Sequence, residues 1–228
     1  MTVAAVEKHP APRPILGTVT DMDEQAVPGP VGTGSEGSPD AERRNPMPSL
    51  RFGVRPATSG DASAVETLVL ARSDWLEERG LPSWRDDAGL VSALTANPDG
   101  SMWILEADGR PVGCTTVTDS TPPMAWTEQE LSEPSLYLYT TVTDPAVRTW
   151  KPGTLLALWA LDRAFQEGKT WLRRGCRFPG LVTYYQHQGF AVVHEMRKSR
   201  GPMYLMARRA EPVKDLQDRF DGTTLPYA

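Results

Sequence analysis

The stretch Thr141-Val142-Thr143-Asp144-Pro145-Ala146-Val147-Arg148-Thr149-Trp150-Lys151-Pro152-Gly153-Thr154 decides the fold, together with what flanks it. Upstream, Ser135-Leu136-Tyr137-Leu138-Tyr139-Thr140 is aromatic and aliphatic and predicts a strand that continues to Thr143. Downstream, the run from Leu155 to Phe165 predicts a mostly buried helix, closed by Gly168. A strand that passes through a basic turn into a helix start is a place for an anion. The first N–H groups of a helix lack internal partners, and the helix dipole favours negative charge there. Arg148 and Lys151 add positive charge beside those donors, and Gly153 allows close approach to the backbone. Pro152 suits a first helical turn because its φ is preset, but it removes one donor. A basic turn that is merely solvated is the plainer alternative.

Working outward, Arg51 to Ala57 reads as a short strand, and Ser59-Gly60-Asp61 as a helix start with Asp61 at the N-cap. Ala64, Val65, Leu68, Val69, Arg72, Trp75 and Leu76 follow at helical spacing up to Gly80, and Asp87 to Ala96 reads as a second, shorter helix. Met102–Ala107 and Pro111–Val117 form a hairpin around Asp108-Gly109. Thr121 to Pro134, with Trp126, Glu128, Glu130 and Glu133, is a polar connection or the border of a substrate cleft. Beyond the central helix come a strand at Thr170–Cys176, a short helix from Leu181 to Gly189, and strands at Phe190–Met196 and Met203–Arg208. The resulting order is β-α-α-β-β-β-α-β-α-β-β.

Residues before Pro48 are rich in Pro and Gly and carry no hydrophobic period, which predicts a disordered tail; Met47 is an alternative start. From Glu211 the pattern fades. The expected organisation is a tail at 1–48, one domain at 49–210 and a second tail at 211–228.

A length of 228 residues suits one ordinary domain with tails, and 39% hydrophobic residues allow a core. A net charge of -5 argues against a general nucleic-acid binder. No apolar run reaches membrane-spanning length and no signal peptide opens the chain, so neither nucleic acid nor membrane is expected as a partner. Cys114 and Cys176 fall inside strands without metal-ligand spacing, and His9, His187 and His194 are scattered. Buried thiols in a reducing cytoplasm, and no metal, are the expectation.

Several motifs resemble those of the GCN5-related N-acetyltransferases (GNAT). Arg148-x-x-Lys151-x-Gly153 looks like their Arg/Gln-x-x-Gly-x-Gly/Ala loop, with Lys151 where the family has its first Gly. Arg55-Pro56-Ala57-Thr58 followed by Asp61 looks like the family's opening. More specific is Leu181-x-x-Tyr184-Tyr185-x-x-x-Gly189-Phe190, which closely resembles the family's Leu/Ala-x-x-Phe/Tyr-Tyr-x-x-x-Gly-Phe motif. The likeness spans roughly Arg51 to Ala210. It implies an α/β GNAT (acyl-CoA N-acyltransferase) fold: a mixed, twisted sheet of six to seven strands flanked by about four helices.

The resemblance also implies a reaction. Acetyl-CoA is the expected co-substrate, with its diphosphate on Arg148, Lys151, Gly153 and Thr154 and its arm along the main chain of Thr141 and Val142. That arrangement demands a splayed strand pair, Leu136–Thr143 against the strand from Thr170. Tyr185 takes the position of a general acid, because a phenol can protonate a leaving thiolate of similar basicity. No Cys or Ser stands beside a His as a nucleophile, which fits direct attack by an amine. The acceptor is a small-molecule amine or a protein amine, and a homodimer is compatible with the family. A non-catalytic acyl-CoA-binding or regulatory module is the alternative. For the base, Glu77, Glu78 and Glu106 are candidates, or a water ordered by Tyr137 or Tyr139. Trp75, Trp84 and Trp126 either wall an acceptor pocket or simply pack. Of Arg173 and Arg174, one is expected to face solvent and one the coenzyme.

Overall fold

The computed structural model describes residues 50–199 and 201–221; the N-terminal tail expected at 1–48 lies outside them. Seven strands form one sheet: β1 (Phe52–Pro56), β2 (Met102–Ala107), β3 (Arg110–Thr118), β4 (Ser135–Thr143), β5 (Trp171–Cys176), β6 (Ala191–Lys198) and β7 (Gly201–Arg209). Their spatial order is β1-β2-β3-β4-β5-β7-β6, antiparallel everywhere except between β4 and β5. Parallel neighbours need a crossover, and α4 (Pro152–Gln166) supplies it.

Local chemistry explains most of the turns. The β2–β3 hairpin turns through Asp108 and Gly109, both at positive φ, as a two-residue connection requires. α1 (Ala62–Glu77) buries Val65, Leu68, Val69 and Leu76, and with α2 (Ala88–Ala93) covers Met102, Ile104, Cys114 and Val142. α4 and α5 (Pro179–His187) cover the other face, where Leu136, Leu138, Leu172 and Met206 meet Ala157, Leu161, Leu181 and Tyr185.

Three features differ from the sequence expectation. Asp61 stands at the N-cap position of α1, but its side chain does not cap that helix: a 3-10 turn at Ser59–Asp61 precedes α1, and the Asp61 carboxylate reaches back to accept from the Thr58 N–H (2.7 Å) and Thr58 Oγ1 (2.9 Å). It also accepts two bonds from Arg55 (2.9 and 2.7 Å), which clamp β1 to the start of α1 and hold the carboxyl well below its usual range. Second, the connection after β3 contains α3 (Glu128–Ser132), started by a capping box between Thr127 and Glu130. Third, the segment after Glu211 is not wholly a loose tail. Leu216–Phe220 form a short helix, α6, whose Phe220 is buried with Phe52, Leu105 and Leu155.

Candidate active site

β4 and β5 part company halfway along. Their parallel pairing covers Ser135–Leu138 against Trp171–Arg174 and ends there. Further on, Tyr139, Val142 and Thr143 pair with β3, whereas Gly175 and Cys176 pair with β7. The two strands therefore make a fork with Leu138 and Arg174 at its vertex, which is the splay the sequence reading demanded.

A bulge shapes the β4 arm. Cys114 faces Val142 and Thr116 faces Tyr139, so Thr140 and Thr141 together oppose Thr115. Thr140 sits at φ 52°, a left-handed conformation that is a true outlier for a β-branched residue. The extra residue changes the phase of the strand: Leu136 and Leu138 point to the α4 layer, but Val142 packs with α1. Across the bulge, the hydroxyls of Thr141 and Thr115 lie 3.0 Å apart.

Beyond β4, the Asp144 carboxylate accepts from the Ala146 N–H (2.8 Å) and opens a 3-10 turn at Pro145–Trp150. Lys151 follows at φ 50°, ψ 55°, in the left-handed region that explains a Gly at this position in the resembled motif. In the first turn of α4, Pro152 has no N–H, and the Thr154 and Leu155 N–H groups both close on the Lys151 carbonyl (3.0 and 3.2 Å). Gly153 is thus the residue whose N–H points out of the helix end, fewer donors than a regular helix start presents. Arg148 is exposed on this turn and Lys151 half-buried. The Thr154 hydroxyl lies 2.6 Å from that of Tyr184, so a side-chain hydrogen bond ties α4 to α5 beside the fork.

Tyr185 lies on α5, fully buried, with its ring edge-on to Phe190 (5.7 Å between centroids) and to Tyr184 (5.2 Å). The Arg174 guanidinium carbon stands 3.3 Å from the centre of the Tyr185 ring. Neither arginine of β5 faces solvent, contrary to the sequence expectation. Arg173 projects to the opposite face, donates to Glu133 (3.1 Å) and stacks over Trp126. Alternation along the strand puts the two on opposite faces, and this sheet is covered on both.

Arg148, Lys151, Gly153 and Thr154 share one turn, Thr141 and Val142 lie on the adjoining arm of the fork, and Tyr185 stands behind its vertex. The family model for the acetyltransferase (GNAT) family matches residues 66–190. The chain belongs to the GNAT acetyltransferase family. It is accordingly an acyltransferase whose co-substrate is acetyl-CoA. Solved GNAT structures share the fold. An acetyltransferase of this family from Listeria monocytogenes 4b F2365 is 19% identical, with a TM-score of 0.54 over 69% of this chain and 94% of that one. The aminoglycoside acetyltransferase AAC(6')-Ib, in complex with coenzyme A, is 17% identical, with a TM-score of 0.53 over 74% of this chain and 98% of that one. RimJ from Mycobacterium smegmatis, in complex with CoA-disulfide, is 21% identical, with a TM-score of 0.51 over 75% of this chain and 90% of that one. No curated protein matches the chain by sequence.

The remaining expectations fare unevenly within the GNAT frame. The base candidates are engaged elsewhere: Glu106 pairs with Arg55 (2.8 Å), Glu77 with Arg85 (2.7 Å), and Glu78 is exposed beside Arg79. The three tryptophans do not wall one pocket. Trp75 and Trp84 pack in the α1–α2 layer, while Trp126 is buried against Leu205 under the α3 segment. That segment is held by Glu130, which meets the His194 ring at 2.9 Å, and by the Glu133–Arg173 pair. Tyr137 and Tyr139 have both phenols pushed up by burial. The Tyr137 hydroxyl lies over Gly175, where a Cβ would come within 2.8 Å of it. A glycine inside a strand pattern is the one sequence signal that could have pointed to this close approach. Among the described residues no cluster of His, Cys, Asp and Glu could hold a metal, and no helix is long and apolar enough to cross a membrane.

Proposed function

We propose that the protein moves the acetyl group of acetyl-CoA directly to the amine of a small molecule or a protein, without a covalent enzyme intermediate. The observation that carries this reading is the fork: β4 and β5 separate beside the first turn of α4, so a backbone edge and an anion-favouring helix start adjoin each other. The coenzyme's diphosphate would take the Gly153 N–H, the Thr154 hydroxyl and the charges of Arg148 and Lys151. Its arm would run along the main chain of Thr141 and Val142, beyond the point where β4 and β5 cease to pair.

The acceptor nitrogen attacks the thioester carbonyl, the N–C bond forms, and the C–S bond breaks. The sulfur takes the proton of Tyr185, and the proton lost by the amine passes to solvent, from which Tyr185 is recharged. Direct attack is supported by the state of the two thiols. Both are free and buried; burial pushes Cys114 up to about 12 and raises Cys176 as well, so neither is a ready nucleophile. Free buried thiols also suit a cytoplasmic setting.

One observation favours the second reading, a non-catalytic acyl-CoA-binding module: the first turn of α4 presents few N–H donors. Thiol release from acetyl-CoA across a panel of amines separates the two. The transferase reading expects amine-dependent release that is lost in Tyr185→Phe. Tight coenzyme binding without amine-dependent release from any acceptor would support the module instead.

A further inference from the structure

The side chain of Tyr137 lies across the fork. Tyr137 belongs to the closed half of β4, where its register partner on β5 is Arg173. Its hydroxyl lies further along β5, over Gly175, the first residue past the last parallel pair. Neighbouring strands run about 4.8 Å apart, and the tyrosine bridges that gap on the face away from α4 and α5. Leu136 and Leu138 fill the α4 layer, and alternation turns Tyr137 to the other side. Gly175 makes the crossing possible. A Cβ there would meet the Tyr137 hydroxyl at 2.8 Å and the Met203 sulfur at 3.2 Å, with the Met124 methyl 3.8 Å away. Glycine weakens a strand interior and often marks a close approach, and the approach here is that of the phenol. Tyr137 is only 4% exposed, so this bar is packed in place.

We propose that Tyr137 is a specificity-determining residue: its side chain, seated on Gly175, is the end stop of the fork and restricts the thioester's acyl group to acetyl. The proposal rests on the reading that places the coenzyme in the open half of the fork. With the diphosphate at the first turn of α4, beyond the Thr143 end of β4, the arm runs back along Val142 and Thr141. The acyl end therefore points into the vertex, where the strands close at Leu138 and Arg174 and the Tyr137 side chain crosses one face. Each added methylene of an acyl chain would favour an open apolar site. Against a packed stop it must displace buried side chains, which costs more than the burial gains. A misfit of one methylene in such a pocket discriminates about 10- to 200-fold.

The test is calorimetric affinity for acetyl-CoA and butyryl-CoA, which needs no acceptor, on the parent, Tyr137→Leu, Tyr137→Phe and Arg148→Ala. The parent should bind butyryl-CoA about ten-fold or more weakly than acetyl-CoA. Tyr137→Leu removes the part of the side chain that crosses to β5, so its ratio of butyryl-CoA to acetyl-CoA affinity should rise about ten-fold or more. Tyr137→Phe shortens the stop by one atom and should raise the ratio about three-fold. A parent that binds both thioesters equally, or a parental ratio in Tyr137→Leu, overturns the proposal. Should Tyr137→Leu fail to fold, Tyr137→Phe decides, and an unmoved ratio there overturns it. The seat is tested without ligand by thermal melts. Gly175→Ala should lower the melting temperature, and lower it less in the Tyr137→Phe background, where the oxygen that its Cβ would meet is gone. Equal losses in both backgrounds would mean that the hydroxyl does not rest on Gly175, and would overturn the proposal. Unchanged acetyl-CoA affinity in Arg148→Ala at low salt overturns the placement of the coenzyme itself. Weakened binding in Arg148→Ala with a parental ratio in the Tyr137 variants overturns only the role of Tyr137.

Discussion

The two halves of β4 are built from opposite chemistry. From Ser135 to Leu138 the strand is paired with β5, at Tyr137 and Leu138 with β3 as well, and its leucines fill the layer under α4. From Tyr139 to Thr143 it carries a bulge, a threonine in the left-handed region, and an edge that β5 no longer covers. One strand thus holds a stability element and, next to it, the proposed binding element.

Substitutions on either side of the vertex should separate the two roles. The largest effect is expected at the closed end. Leu138→Ala removes a buried side chain from the α4 layer and should lower unfolding free energy by roughly 2–5 kcal/mol in a denaturant melt. A loss well under 1 kcal/mol would mean that the closed end is not the anchor of the sheet.

Next comes the clamp outside the fork. Asp61→Asn removes charged partners of Arg55 and should cost about 1–3 kcal/mol at neutral pH. The Asp61 carboxyl is held down by its hydrogen bonds with Arg55, so its contribution is fully present above the unfolded carboxylate pKa, about 3.9. It fades as pH falls from there toward the depressed folded value. Parent and variant should therefore converge in acid, and a gap that stays constant with pH would contradict the assignment.

At the open end the effects should fall on binding. Arg148→Ala should weaken acetyl-CoA binding about ten-fold at low salt and less at high salt, with the melting temperature unchanged. A salt-independent loss would point to a structural role instead. The smallest and most informative change is Lys151→Gly. It relieves a left-handed backbone and should raise stability by up to about 1 kcal/mol. Because it also removes a charge from the proposed coenzyme site, affinity should fall as stability rises. Movement of both in the same direction would sink that account.

The sequence displayed the strand order, the crossover helix and the turn, because hydrophobic period and Gly/Pro punctuation report them directly. Two short helices escaped. In α3 the signal, Thr127 with Glu130 three residues on, was legible but carried no apolar run to give it weight. α6 is a single turn whose packing residues are Leu216 and Phe220. The fork's interior was the least legible part. Thr140 looks like any β-branched strand residue, so nothing in its type announces a positive φ. Arg174 looks like a surface residue, and only tertiary structure reveals it stacked on Tyr185. The bond between Thr154 and Tyr184 joins residues thirty apart that no spacing rule connects.

The central claim is that acetyl-CoA lies in the open half of the fork. Amide hydrogen exchange with and without saturating acetyl-CoA tests it residue by residue. Slower exchange at Tyr139–Thr143 and at Gly153, with Ser135–Leu138 unchanged, is the predicted result. Protection that spares the open half, or that appears in the closed half alone, would contradict it.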